Sequence, residues 1–218
     1  MFIGHFALGF AGKRAAPNLP LALLFVACQL ADILWPVFVA TGLETVRIVP
    51  GITAFTPLDF VNYPYSHSLV ALCVWGALLG AACWLSGITG RVSLLVAGLV
   101  VSHWILDFVS HRPDLPIYPG GALWGLGLWN SVPATLIVEL LLFGAGVWLY
   151  ARATRARDPI GHWSFVGLVA FLLIAYVANV GGGPPPSVTA IYIVGIIGAV
   201  ILIGWSWWTD RHRQAFRM

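Results

Sequence analysis

Apolar residues run along this chain in long stretches, separated by short polar or basic connections. Five windows, 19–40, 68–86, 92–110, 163–180 and 187–208, each offer about 20 apolar residues, enough to cross a hydrocarbon core. A sixth, 132–150, is interrupted only by Glu139. Ahead of them, 2–11 is apolar but too short to cross. No basic residue precedes it and Lys13 and Arg14 follow it, unlike a secretory signal. It reads as a half-membrane helix dipping in from the cytoplasmic side, with a surface amphipathic segment as the alternative. The pattern predicts an all-α fold: a polytopic transmembrane helical bundle of about six spans plus the N-terminal half-membrane helix. One integral membrane domain, 1–218, is expected, in which residues 1–121 bear the site and residues 122–218 form supporting helices.

Composition agrees. Of 218 residues, 60% are hydrophobic and 9% charged, with a mean hydropathy of +0.90. A soluble domain carries about a quarter charged residues. Charge adds orientation. With the N-terminus inside, Lys13, Arg14, Arg91, Arg152, Arg155, Arg157, Arg211, Arg213 and Arg217 fall on the inner side, Arg47 and Arg112 on the outer. This bias places both termini in the cytoplasm and accounts for the basic residues without a nucleic-acid partner. Cys28, Cys73 and Cys83 lie within windows and show no C-x-x-C spacing, so they read as packing residues. Two longer outward loops, 41–65 and 111–131, are rich in Pro, Gly and aromatics and are placed to cap something.

Ionisable groups inside spans are costly and point to function. His103 lies twelve residues past Arg91, about 18 Å in, and Asp107 about 24 Å in. Asp32 and Glu139 each come to about 20 Å, with His67 and His111 at the outer boundary and His5 about 12 Å from Lys13. His103 and Asp107 are four apart and share a helix face. Imidazole nitrogens with carboxylate oxygens are the donor set of zinc and similar divalent ions. A buried structural His–Asp pair, an interhelical hydrogen bond from Glu139 and a plain helix cap at Ser66 are the competing readings. His162 and His212 flank basic loops and receive no site role.

The same residues resemble the bacterial inner-membrane family of metal-dependent hydrolases that includes a LexA-regulated member. Gly4-His5 is similar to the family's early G-H, Ala31-Asp32-Ile33 to its P-D-x-D, and Ser66-His67-Ser68-Leu69 to its T-H-S-L. The stretch 98–107, GLVVSHWILD, resembles G-x-x-S-H-x-x-x-D, with Tyr118-Pro119 after it. Ala31 replaces the family's Pro, Leu34 its second Asp, and Asn62-Tyr63-Pro64 stands where H-R precedes T-H-S. The order of ligands also resembles, more distantly, zinc-dependent phospholipase C. The resemblance implies a bacterial inner (plasma) membrane location and a hydrolytic, phosphoester-directed chemistry.

The expectation is therefore a membrane-embedded metal-dependent hydrolase acting on an ester or phosphoester of a lipid-like or amphiphilic substrate near the extracytoplasmic leaflet. His5, Asp32, His67, His103 and Asp107 bind a divalent metal ion, zinc foremost. Glu139 or an unligated Asp107 serves as general base, and Arg112 holds an anionic group at the outer mouth. His111, at a helix end exposed to water, donates a proton to the leaving group. The partners are the lipid bilayer and that substrate. An ion or proton transporter or channel using Asp32, Asp107 and Glu139, and a non-catalytic membrane protein with a structural metal site, are the alternatives. In either hydrolase or scaffold, the last two spans should pack peripherally and supply no ligand.

Overall fold

The computed structural model describes residues 1–216, and Arg217 lies outside them. Helices dominate, at 68% of the chain. They are α1 (Ile3–Ala15), α2 (Leu21–Cys28), α3 (Leu30–Ala40), α4 (Pro64–His67), α5 (Leu69–Leu85), α6 (Gly90–Ser110), α7 (Val132–Ala153), α8 (Pro159–Gly181) and α9 (Val188–Arg211). Local chemistry starts several of them. Ser68, Ser131, Asp158 and Ser187 each accept a hydrogen bond from the backbone N–H three residues on, and Pro follows at the first turn of α7 and α8. His212 in turn reaches Asp158 at 2.8 Å, and that hydrogen bond holds the Asp158 carboxyl below its usual range.

Four helices, α6 to α9, are long and apolar enough to cross a membrane. The expected window 19–40 is instead a bent pair, α2 and α3, meeting at 59°, and counts as a fifth only if the two halves are one span. Gln29 makes the break: its φ of −110° and ψ of 8° leave helical geometry, with neither Pro nor Gly at the position. The window 68–86 becomes the 17-residue α5, shorter than α6 to α9. Large apolar side chains lie open along these helices, among them Leu78, Leu94, Leu141, Ile174 and Val194, forming a surface that water would not accommodate.

Three two-stranded antiparallel ribbons add to the expected helices: β1 (Thr45–Ile48) with β2 (Leu58–Asn62), β3 (Leu115–Pro116) with β4 (Leu123–Trp124), and β5 (Thr154–Ala156) with β6 (Arg213–Ala215). The first two lie in the loops 41–65 and 111–131.

The short α1 is the centre of the bundle, packed along α7 and against α2 and α6. Its buried face holds Ile3, His5, Phe6 and Phe10. Close approach to α7 depends on Gly146, where a Cβ would come within 2.3 Å of the Ala7 carbonyl oxygen. Phe10 packs edge-on to Phe25, Phe143 and Tyr150, filling the middle of the bundle with aromatic rings. Below this layer Lys13 is locked to Asp210 at 2.6 Å and to the Leu19 carbonyl at 2.7 Å. Of the two last helices, α9 buries only Ser206 and Thr209 and packs on α2, α3 and α8, with Trp205 Nε1 donating to the Ser164 carbonyl at 3.0 Å. The other, α8, departs from the expected peripheral role, because Leu168, Leu172 and Tyr176 enter the core.

Candidate metal centre

Four elements bring five donors together. His5 comes from α1, Asp32 from the first turn of α3, His67 from α4, and His103 with Asp107 from one face of α6. The break at Gln29 places Asp32 just past a helix start, and the separate turn of α4 presents His67 ahead of α5. His5 Nε2 lies 3.0 Å from Asp107 Oδ1, and His103 Nε2 lies 3.2 Å from Asp107 Oδ2. His67 Nε2 lies 3.4 Å from Asp32 Oδ1 and 3.8 Å from Asp107 Oδ2. His103 Nε2 is 3.8 Å from Asp32 Oδ1. Two triads result, His5–His103–Asp107 and Asp32–His67–His103, each with donor atoms within 4.8 Å of one another. Ligands at about 2.0–2.1 Å from a tetrahedral ion stand about 3.3 Å apart, which falls within these separations.

Hydrogen bonds made away from the centre fix which nitrogens face it. His103 Nδ1 is 2.9 Å from the Cys28 carbonyl oxygen, which can only accept, so the proton is on Nδ1. His103 Nε2 then turns a lone pair inward, and it has no hydrogen-bond partner. His67 Nδ1 is 2.7 Å from Ser66 Oγ. Ser66 Oγ donates its own hydrogen to Glu44 Oε2 at 2.6 Å, so it accepts from His67 Nδ1–H. The Nε2 lone pair of His67 is likewise directed at the two aspartates. Lone pairs facing carboxylates in a buried space favour positive charge among them, as a proton, an ammonium or a metal ion. His103 Nε2 is common to both triads, so the five donors could share a single ion through it. The amino nitrogen of Met1 also contacts Asp107 Oδ1 and lies 3.0 Å from Ser110 Oγ.

Access is one-sided. His5, His67, His103 and Asp107 are buried, whereas the Asp32 side chain is 43% exposed. Half-buried Leu30, Ile33, Leu34 and Trp35 flank it on α3, so the opening has an apolar rim.

The three residues expected to act beside the ion have definite partners. His111 was expected at a water-exposed helix end, but it is 2% exposed. The loops fold over it: Phe60 and Trp129 stand 4.9 and 4.3 Å from its ring, and burial holds its imidazole below the ordinary value. Its Nδ1 faces Asp114 Oδ1 at 3.0 Å and its Nε2 faces Asp107 Oδ2 at 3.9 Å. Tyr63 donates to Asp114 at 3.2 Å, and burial, then the Asp114 charge, pushes its hydroxyl well above the ordinary range. Arg112 is not free at a mouth: it is paired with Asp59 and, through Nε at 2.9 Å, with Asp114. Glu139 accepts the backbone N–H groups of Phe2 and Gly4 through Oε2, at 2.8 and 3.1 Å, and so anchors the start of α1. Asp114 shows in the sequence only as a carboxylate three residues after His111, and Glu44 carries no sequence signal.

Compared with protein-family models, curated proteins and solved structures, the chain matches none. The geometry therefore carries the conclusion: the chain is a mostly helical, strongly apolar protein with a buried His/Asp cluster able to hold a metal ion.

Proposed function

We propose that this protein is an integral membrane, metal-dependent hydrolase of esters or phosphoesters carried by lipid-like substrates. The carrying observation is the pair of imidazoles, His67 and His103, whose outward hydrogen bonds leave both Nε2 lone pairs aimed at two carboxylates. His5, Asp32, His67, His103 and Asp107 hold a divalent ion, zinc by donor type. Such an ion polarises an ester and lowers the pKa of bound water toward ~7.

The chain's own residues supply the rest. Asp114 accepts from His111 Nδ1–H, which leaves His111 Nε2 to take or give a proton on the side facing Asp107. Tyr63 and Arg112 hold Asp114 in that position. The open flank at Asp32, rimmed by apolar α3 residues, admits an amphiphile with its tail in lipid and its ester at the centre.

In this reading α5 to α9 and the bent α2–α3 pair cross a bacterial inner membrane, α1 enters halfway, and the basic end faces the cytoplasm. A proton or ion path would need polarity through to that end. Phe6, Phe10, Phe25 and Phe143 fill the space instead, with ring centroids 5.0–6.0 Å apart. The exposed side of Asp32 supports this reading over a closed structural site.

The test is metal content with activity. Protein purified in detergent should carry one zinc per chain and hydrolyse members of a panel of lipid esters and phosphodiesters. A chelator should stop turnover and zinc restore it. Protein without stoichiometric metal, even after zinc or manganese is added back, would overturn the reading.

A further inference from the structure

Glu44 is a buried carboxylate with no Lys, Arg or His nitrogen within 4.0 Å of it among the described residues. A buried charge is costly unless several donors answer it. Here three do. Oε1 accepts the backbone N–H groups of Tyr65 and Ser66, both at 2.8 Å, and Oε2 accepts the Ser66 hydroxyl at 2.6 Å. The hydroxyl has one hydrogen to give, and its oxygen is the only partner of His67 Nδ1, at 2.7 Å. Direction thus passes along the chain of bonds: the carboxylate can only accept, so Ser66 must donate to it, so His67 must donate to Ser66.

We propose that Glu44, acting through Ser66, is a positioning residue that sets the tautomer of His67 and so makes its Nε2 available to the metal centre. The purpose rests on the metal reading above; the tautomer does not. Groups of this kind orient a ligand ring and fix which nitrogen carries the proton. An apolar residue in place of Glu44 would leave Ser66 free to turn its hydrogen toward His67, and the Nε2–H form would then block the centre.

The arrangement predicts an unusual effect for a nearly isosteric change. In Glu44→Gln the amide oxygen still accepts from the Tyr65 and Ser66 backbone. The amide NH2 now faces Ser66 Oγ and donates to it, so Ser66 turns its hydrogen to His67 Nδ1. The proton of His67 moves to Nε2, facing Asp32 and Asp107. Hydrogen-bond polarity is reversed over two links with little change in shape.

Nitrogen-15 NMR of histidine-labelled, metal-free protein in detergent reads this directly, the His67 signals being identified by their loss in His67→Ala. Wild type should show the Nδ1–H tautomer and Glu44→Gln the Nε2–H tautomer. Zinc affinity, by competition with a chelating dye, should fall about 10–100-fold in Glu44→Gln. Ser66→Ala leaves the buried charge capped by the backbone and should give mixed tautomers, a readout that stands even if Glu44→Gln does not fold. Adding Glu44→Gln to Ser66→Ala should then change zinc affinity by less than about 3-fold, because the link is cut. A wild-type tautomer in Glu44→Gln, unmixed Nδ1–H in Ser66→Ala, or an equal loss of affinity with and without Ser66 would overturn the proposal. Reversal of the tautomer in a protein that binds no zinc would uphold the relay and remove the metal reading alone.

Discussion

His5 and His103 stack face to face, with ring centroids 3.6 Å apart and planes 3° from parallel, although they come from different helices. Both rings offer Nε2 to opposite oxygens of Asp107. The stack fixes α1 against α6 at the centre itself, so the half-length helix contributes a ligand and also a section of the wall. Of the carboxylate oxygens here, the Met1 ammonium answers Asp107 Oδ1 alone, so the remaining buried lone pairs and carboxylate oxygens leave room for a further positive charge.

Metal should therefore stabilise the fold as well as activate it. Wild-type protein in zinc at about 100 times its Kd should gain about 2.7 kcal/mol against unfolding. His103→Ala removes the nitrogen shared by both triads and should abolish zinc binding by equilibrium dialysis and the zinc-dependent rise in Tm. A variant that still binds zinc with wild-type affinity would mean that His103 is only a packing residue.

His111 stands behind the ligands, with its Nε2 3.9 Å from Asp107 and its Nδ1 held by Asp114. His111→Ala should keep zinc and slow turnover about 100-fold, the scale of a lost general acid or base. Asp114→Asn should slow it too, because an amide in place of the carboxylate no longer fixes the proton on Nδ1. Loss of zinc from His111→Ala would make it a ligand; unchanged turnover would leave it a polar residue buried under the loops.

Much of this was legible in the sequence, for a definite reason. Burying His103, Asp107, Asp32 and His5 among apolar residues is costly, so each stood out against its window. The partners that orient them did not stand out. Glu44, Tyr63 and Asp114 lie in the connections between windows, where a charge or hydroxyl is ordinary, and only the folding of the loops buries them. The same folding overturned the expected exposure of His111 and occupied Arg112. Hydropathy found the apolar windows but not the break at Gln29, which no Pro or Gly marks. It also missed the ribbons, two to five residues per strand, because so few positions carry no readable alternation.

Glu139 separates a structural from a chemical role. Its Oε2 accepts from Phe2, just before α1, and from Gly4 in its first turn. Glu139→Gln keeps an acceptor there and should retain zinc within a few-fold and turnover within about 10-fold. Glu139→Ala leaves those buried N–H groups unpaired, at about 1–3 kcal/mol each. It should lower Tm and weaken zinc together, as His5 loosens. Normal zinc affinity with turnover lowered beyond 100-fold in Glu139→Gln would instead make Glu139 the general base.

The dependence of the centre on α1 can be tested at a residue that carries no donor. Gly146 on α7 faces Ala7, and a methyl group there would lie 2.3 Å from the Ala7 carbonyl oxygen and 2.6 Å from its Cα. Neither is a flexible side-chain end, so the two helices must separate. Overpacking of this kind costs about 1–3 kcal/mol. Ala7 is half a turn from His5, and a shift of α1 moves the His5 ring off His103 and Asp107. Gly146→Ala should therefore weaken zinc binding at least 10-fold and lower Tm, whereas Gly144→Ala, where a Cβ meets nothing within 4 Å, should change neither. Wild-type zinc affinity in Gly146→Ala, read by dye competition beside the Gly144→Ala control, would show that His5 is not required at the centre.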